Sequence, residues 1–208
     1  MNERRALSDF LESLGSSAPA PGGGAASALT GALAAALAEM VAQLTVGKPR
    51  YASVDAQMRA GVEHLRSARQ ELLTLMADDE SVFTAVSSAY RQPRATPEQE
   101  AAREVAIQFA LQQAMRPPLQ MMRRVCDVLE LASEMAASGN GTVVSDAGCS
   151  ALLGEAAVRA AGLNVMANVV LLKDRAVADE ARASIEQFEE RALALRERTM
   201  AAVHARMR

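Results

Sequence analysis

The sequence predicts an all-α protein, a bundle of about six helices, and three observations carry that expectation. Composition is the first: 44 of the 208 residues are Ala, only 3% are aromatic and there is no Trp. A chain rich in Ala, Leu, Glu and Arg is good helix material and poor strand material. Periodicity is the second. Across residues 52–91, apolar side chains recur at Val54, Met58, Val62, Leu65, Leu72, Met76, Phe83, Val86 and Tyr90, at spacings of three, four and seven. Punctuation is the third, because Gly and Pro clusters cut the chain into segments of helical length.

The first helix is expected over residues 4–14, ending near Gly15. Ser16 to Gly24 holds two prolines and three consecutive glycines, so a second helix begins only where the glycines end and runs to Val46. Gly47-Lys48-Pro49 stops it. The long third helix fills 52–91 and ends at Gln92-Pro93. Thr96-Pro97-Glu98-Gln99 reads as a helix start, with Thr96 as N-cap and Gln99 three residues later. The fourth helix continues to Ala137 with a kink at Pro117-Pro118. A loop over 138–144 leads to a fifth helix, capped by Ser145 and ending at Leu172, and a charged sixth covers 177–206. No repeat or linker divides residues 1–208, so one helical domain is expected.

The same composition narrows function. Charges balance at 22 positive and 25 negative with no basic block, so no nucleic-acid partner is expected. The charged start, Met1 to Arg5, has no apolar run behind it, so no signal peptide is expected. Ala25 to Val46 has the length of a membrane span, but it carries Glu39 and Gln43 and is mostly Ala; a buried soluble helix and a cytoplasmic protein are the expectation. Cys126 and Cys149 lack CxxC spacing and read as buried free thiols. His64 and His204 have no ligand-spaced neighbour, so no metal site is expected. A forty-residue helix spans about 60 Å at 1.5 Å per residue, longer than a compact domain of this size is wide. With the small-residue surface of the second helix, this suggests a twofold homodimer.

Asp79 is the most informative single residue. The core stripe of the third helix steps from Leu72 to Met76, to position 79, then to Phe83 and Val86, which puts a carboxylate on the apolar face. Leaving it ionised there costs several kcal/mol unless something pairs with it. It is therefore either a structural ion pair or N-cap partner inside the bundle, or a functional carboxylate. Gly22, Gly23 and Gly24 open the second helix, where free N–H groups and the helix dipole favour an anion, although a plain flexible turn has the same composition. Asn140, Ser145 and Asp146 lead into the fifth helix. Asn164 and Asn168 share a face one turn apart, as a polar pocket or as interhelical hydrogen bonds. Lys48, Arg50 and Tyr51 form either an anion grip or a solvated loop.

In combination these segments resemble the cyclodeaminase/cyclohydrolase family of folate enzymes. That family includes stand-alone methenyltetrahydrofolate cyclohydrolases and the C-terminal domain of formiminotransferase-cyclodeaminase. The resemblance rests on residues 17–24, on Leu44 to Tyr51, on Ala77-Asp78-Asp79 with Phe83, on Gly139-Asn140 with Ser145 to Gly148, and on Leu163-Asn164-Val165 with Asn168. It implies an all-α homodimer with no metal and no redox cofactor, and it makes Asp79 the catalytic residue, with Asp146 as a second one.

The implied reaction is hydrolysis of 5,10-methenyltetrahydrofolate to 10-formyltetrahydrofolate. Asn140 and Asn164 would orient water or the pterin, while Gly22 to Gly24 and Lys48 would hold the glutamate tail or carbonyl oxygens of the ligand. Gln43, Pro49, Ser81 and Thr142 depart from the family's usual residues, which bears on substrate preference. Formimidoyltetrahydrofolate cyclodeamination with release of ammonia is the alternative chemistry, and a non-catalytic helical interaction module is a further alternative.

Overall fold

A computed structural model describes residues 7–207 as seven α-helices and two short 3-10 helices. Helix α1 is Leu7–Leu14, α2 is Gly23–Gln43, α3 is Asp55–Tyr90 and α4 is Pro97–Ala114. Helix α5 is Arg116–Ser138, α6 is Val144–Val169 and α7 is Arg175–Arg206. The 3-10 helices, Pro49–Val54 and Gly141–Val143, precede α3 and α6.

Helix α2 lies between α3 and α6, with α5 beneath it. Contacts along their lengths fix the directions. Gly24 meets Asp79 and Gly31 meets Leu72, so α3 runs antiparallel to α2. Gly23 meets Asn164, and the Ser150 hydroxyl donates to the Ala34 carbonyl at 2.7 Å, so α6 is antiparallel as well. Helix α5 runs parallel to α2, and α7 packs on the far side against α5 and α6. Missing side chains let these axes approach. A Cβ on Gly31 would sit 2.6 Å from Val125 Cγ2, and one on Gly154 would sit 2.6 Å from Leu129 Cδ2.

With so few aromatic residues, long flexible side chains fill the interior. Met58, Met121, Met122 and Met135 are fully buried beside Leu65, Leu72 and Leu129. Helix α2 is long and apolar enough to cross a membrane by length and composition, but alanines and Val41 bury three of its sides against α3, α5 and α6.

Several sequence expectations need correction. The expected start of the first helix, residues 4–6, lies outside the described residues. The second helix stops at Gln43 rather than Val46, and Leu44 to Gly47 form turns. The Pro117-Pro118 kink is a break: α4 ends at Ala114 and α5 starts at Arg116, which makes seven helices of six. Each proline removes an amide donor there, although both pieces still run antiparallel to α3. Ser145 is not a cap. Helix α6 begins at Val144, and Asn140 instead caps the preceding 3-10 turn by accepting from the Thr142 N–H at 3.1 Å. Asp174 caps α7 by accepting from the N–H groups of Ala176 and Val177, so that helix starts two residues earlier than its apolar pattern suggested. Cys126 is buried as expected, and burial pushes its thiol up to about 12, but Cys149 is exposed.

Candidate active site

The glycine run exists because a carboxylate occupies the space that a side chain would need. Helix α2 starts at Gly23 with Gly22 as an uncapped N-cap, and its first helical bond runs from the Ala26 N–H to the Gly22 carbonyl. The amides of Gly23, Gly24 and Ala25 therefore have no partner within the helix. A Cβ on Gly24 would overlap the Asp79 carboxylate, lying 2.5 Å from Oδ1 and nearer still to Oδ2. A Cβ on Gly23 would meet Asn164 Oδ1 at 3.0 Å. Helices α3 and α6 thus bring Asp79 and Asn164 to either side of one exposed helix start.

Asp79 is half-buried and makes no hydrogen bond or ion pair among the described residues. Burial raises its carboxyl above the usual range, and the neighbouring Glu80 charge adds to the effect. Among the described residues, then, no cation closes an ion pair on Asp79 and no helix-start N–H is capped by it. Asn164 and Asn168 donate back into their own helix, to the carbonyls of Ala160 at 2.8 Å and Asn164 at 2.9 Å. Among the described residues neither amide donor forms an interhelical bond, and Asn164 Oδ1 lies beside Gly23.

The other predicted site residues lie at the opposite end of α2. At 1.5 Å per residue its 21 residues separate the two ends by about 30 Å. There Asn140 is buried in a knot. Its N–H donates to Thr45 Oγ1 at 2.8 Å and its Nδ2 donates to the Leu44 carbonyl at 3.1 Å. Its Oδ1 accepts from the Thr142 N–H, from the Thr142 hydroxyl and from the Tyr51 hydroxyl. The Tyr51 oxygen in turn accepts from the Gly141 N–H at 3.1 Å. Arg206 closes the same corner by donating to the carbonyls of Ala136 and Gly139.

Lys48 projects from this knot. Gly47, at φ 75°, makes the left-handed turn before it, and the Gly47 N–H donates to Asp55 at 2.6 Å. That bond, helped by Arg59, holds the Asp55 carboxyl below its ordinary range. Lys48 is exposed and has no ion pair among the described residues, and Arg50 lies over the Tyr51 ring at 5.8 Å. Asp146, in the first turn of α6, belongs to this end as well.

Sequence reasoning gave no role of its own to Thr45, a fully buried residue whose hydroxyl donates to the Val41 carbonyl at 2.7 Å and anchors Asn140. A hydroxyl at the last turn of an apolar helix was the available signal. Cavities of about 400 Å³ open along the α3–α5 groove around Glu71, Arg124 and Asp127, and their walls do not include Asp79. Among the described residues no group of three or more His, Cys, Asp or Glu side chains is placed to hold a metal.

A half-buried carboxylate, raised by burial, without a partner among the described residues and set beside an uncapped helix start, distinguishes this all-α antiparallel bundle. The chain belongs to the formiminotransferase-cyclodeaminase family, whose match covers residues 6–187. It is 42% identical over 201 residues to a methenyltetrahydrofolate cyclohydrolase of Methylorubrum extorquens, covering 97% of each chain. It is 32% identical to the formimidoyltransferase-cyclodeaminase of Rattus norvegicus over 88% of this chain, but spans only 34% of that longer protein. The crystal structure of formiminotetrahydrofolate cyclodeaminase from Thermotoga maritima superposes with a TM-score of 0.88 at 28% identity, covering 98% of both chains.

Proposed function

We propose that this chain hydrolyses 5,10-methenyltetrahydrofolate to 10-formyltetrahydrofolate, with Asp79 as general base. The observation that carries the reading is the Asp79 carboxylate. It is raised by burial, unpaired among the described residues and fixed against Gly24, in a chain 42% identical to a cyclohydrolase over nearly its whole length.

The substrate's N5–C–N10 bridge is a delocalised amidinium cation. Half-buried beside the start of α2, ionised Asp79 stabilises that cation and accepts a proton as water adds to the bridge carbon. The C–N5 bond then breaks as the adduct's C–OH becomes the formyl C=O on N10; the proton held by Asp79 passes to N5, and the hydroxyl proton is released to water. Asn164 Oδ1 orients the water or the pterin edge, and the free amides of Gly23 and Gly24 hold a carbonyl or carboxylate oxygen of the ligand. The reaction calls for no metal or redox cofactor, and we take the protein to act as a homodimer.

The test is loss of methenyl absorbance with the wild type and with Asp79→Asn. The variant loses at least about a hundredfold in rate, the scale of a general base. Near-normal turnover removes Asp79 from the mechanism.

Cyclodeamination remains as a second reading because of the close superposition on the Thermotoga enzyme. Ammonia release from formimidoyltetrahydrofolate, without hydrolysis of the methenyl compound, would favour it.

A further inference from the structure

One face of α3 passes from cover to exposure along its length. Leu72, Met76, Asp79 and Phe83 share that face, within about 60° of one another around the helix axis. Leu72 is fully buried and Met76 is 6% exposed, Asp79 is half-buried, and Phe83 is 42% exposed. Where α2 begins accounts for the change. Gly31 of α2 lies against Leu72 and Gly24 against Asp79, and the helix starts at Gly23, which is itself exposed. Phe83 thus stands on a core-facing stripe just past the helix that covers the stripe.

Phe83 also belongs to the same stretch of surface as the carboxylate. Cα–Cβ bonds in a helix tilt toward its N-terminus, so a side chain at position 83 lies over the turn that holds Asp79. Asp79 and Glu80 make that turn acidic, and no cation pairs with Asp79 among the described residues. A single exposed apolar residue is ordinary on a protein surface. This one shares the face of the unpaired carboxylate, in a chain with four Phe, two Tyr and no Trp. A carboxylate beside an aromatic face suits a flat organic cation, which takes charge from the one and π contact from the other.

We propose that Phe83 is a specificity-determining residue of this site, its ring stacking on the planar, cationic ring that contains the N5–C–N10 bridge. The assignment rests on the reading of Asp79 as the base. The reaction gives the contact a direction. The bridge is flat and positive in the substrate, but its carbon is tetrahedral and its charge gone once water has added. A π face therefore favours substrate over transition state, and over a product whose bridge is neutral. Phe83 acts in KM rather than in kcat, and its hold weakens as product forms.

Phe83→Leu tests this, since it keeps apolar bulk and removes the ring. Its KM for methenyltetrahydrofolate rises about tenfold, the scale of a cation–π contact, while kcat stays within about twofold. Its inhibition constant for 10-formyltetrahydrofolate rises by less, and Phe83→Tyr keeps the wild-type KM. An unchanged KM in Phe83→Leu overturns the assignment, as do equal rises for the two ligands or a Phe83→Tyr that behaves like Phe83→Leu.

A second readout follows binding directly. Because the chain has no Trp, Phe83→Trp sets a single indole on this face. In an Asp79→Asn background, which slows turnover, its emission shifts to the blue as methenyltetrahydrofolate covers it. Emission that stays in place at saturating ligand overturns the contact. A wild type that hydrolyses the methenyl compound while Phe83→Leu keeps its KM overturns the role of Phe83 and leaves Asp79 as the base. A wild type inert toward that compound overturns both.

Discussion

The two ends of α2 are built on opposite principles. At the Leu44 end the buried polar groups are partnered: Asn140 alone serves as donor twice and acceptor three times. At the Gly23 end the helix start is uncapped, and a carboxylate sits half-buried against it with no partner among the described residues. Satisfied networks stabilise and fix geometry, whereas an unsatisfied charge costs free energy and is kept where chemistry uses it. One helix thus joins a satisfied clamp to an open carboxylate.

The sharpest way to break this contrast is to neutralise the carboxylate. Asp79→Asn loses at least about a hundredfold in activity, roughly 3 kcal/mol of transition-state stabilisation, while the fold gains stability at pH 7. The sign follows from the raised carboxyl. Burial favours the protonated form in the folded chain, so stability is fully present at low pH and is lost as pH rises through the folded pKa. The thermal advantage of the variant therefore appears at neutral pH and fades on acidification, which melting curves at several pH values check. By the same shift, the acid limb of the wild-type kcat/KM profile falls above the ordinary carboxylate range.

At the other end the effects run the opposite way. Asn140→Ala costs about 2 kcal/mol in urea unfolding, because it strands the Thr142 N–H and the Leu44 carbonyl. Tyr51→Phe costs about 1 kcal/mol by the same measurement, since it removes the acceptor of the Gly141 N–H. Smallest is Gly23→Ala. Its Cβ would press on the far end of the Asn164 side chain, which can yield, so activity drops less than about tenfold and stability hardly changes. A loss in Gly23→Ala matching that in Asp79→Asn would make Asn164 an equal of the carboxylate.

Much of this was legible in the sequence, for stated reasons. Alanine content and the apolar period give the helices. The capping signal at Thr96 is realised, with Thr96 accepting from the Gln99 N–H and Gln99 accepting from the Ala95 N–H. Asp79 emerged from its phase on α3, because a helical wheel reports which way a side chain faces. A wheel does not report height along a bundle. The grouping of Lys48, Asn140 and Asp146 with Asp79 was therefore out of reach as geometry, and one chain holds them at opposite ends. The role of Ser145 was misjudged because Asn140, five residues earlier, ties down the loop first. The Asp174 cap was hidden by the weak apolar pattern at the start of α7.

Helix α3 outruns its neighbour: α2 begins level with Asp79, and residues 80–90 project past it as an overhang bearing Phe83 and Tyr90, each 42% exposed. The ledge beside Asp79 is thus set by where one rod starts against a longer rod, much as a step is set by two planks of unequal length. A single residue inserted ahead of Ala25 would raise that step by about 1.5 Å and turn it by about 100°, and the Gly24 hollow would no longer face the carboxylate.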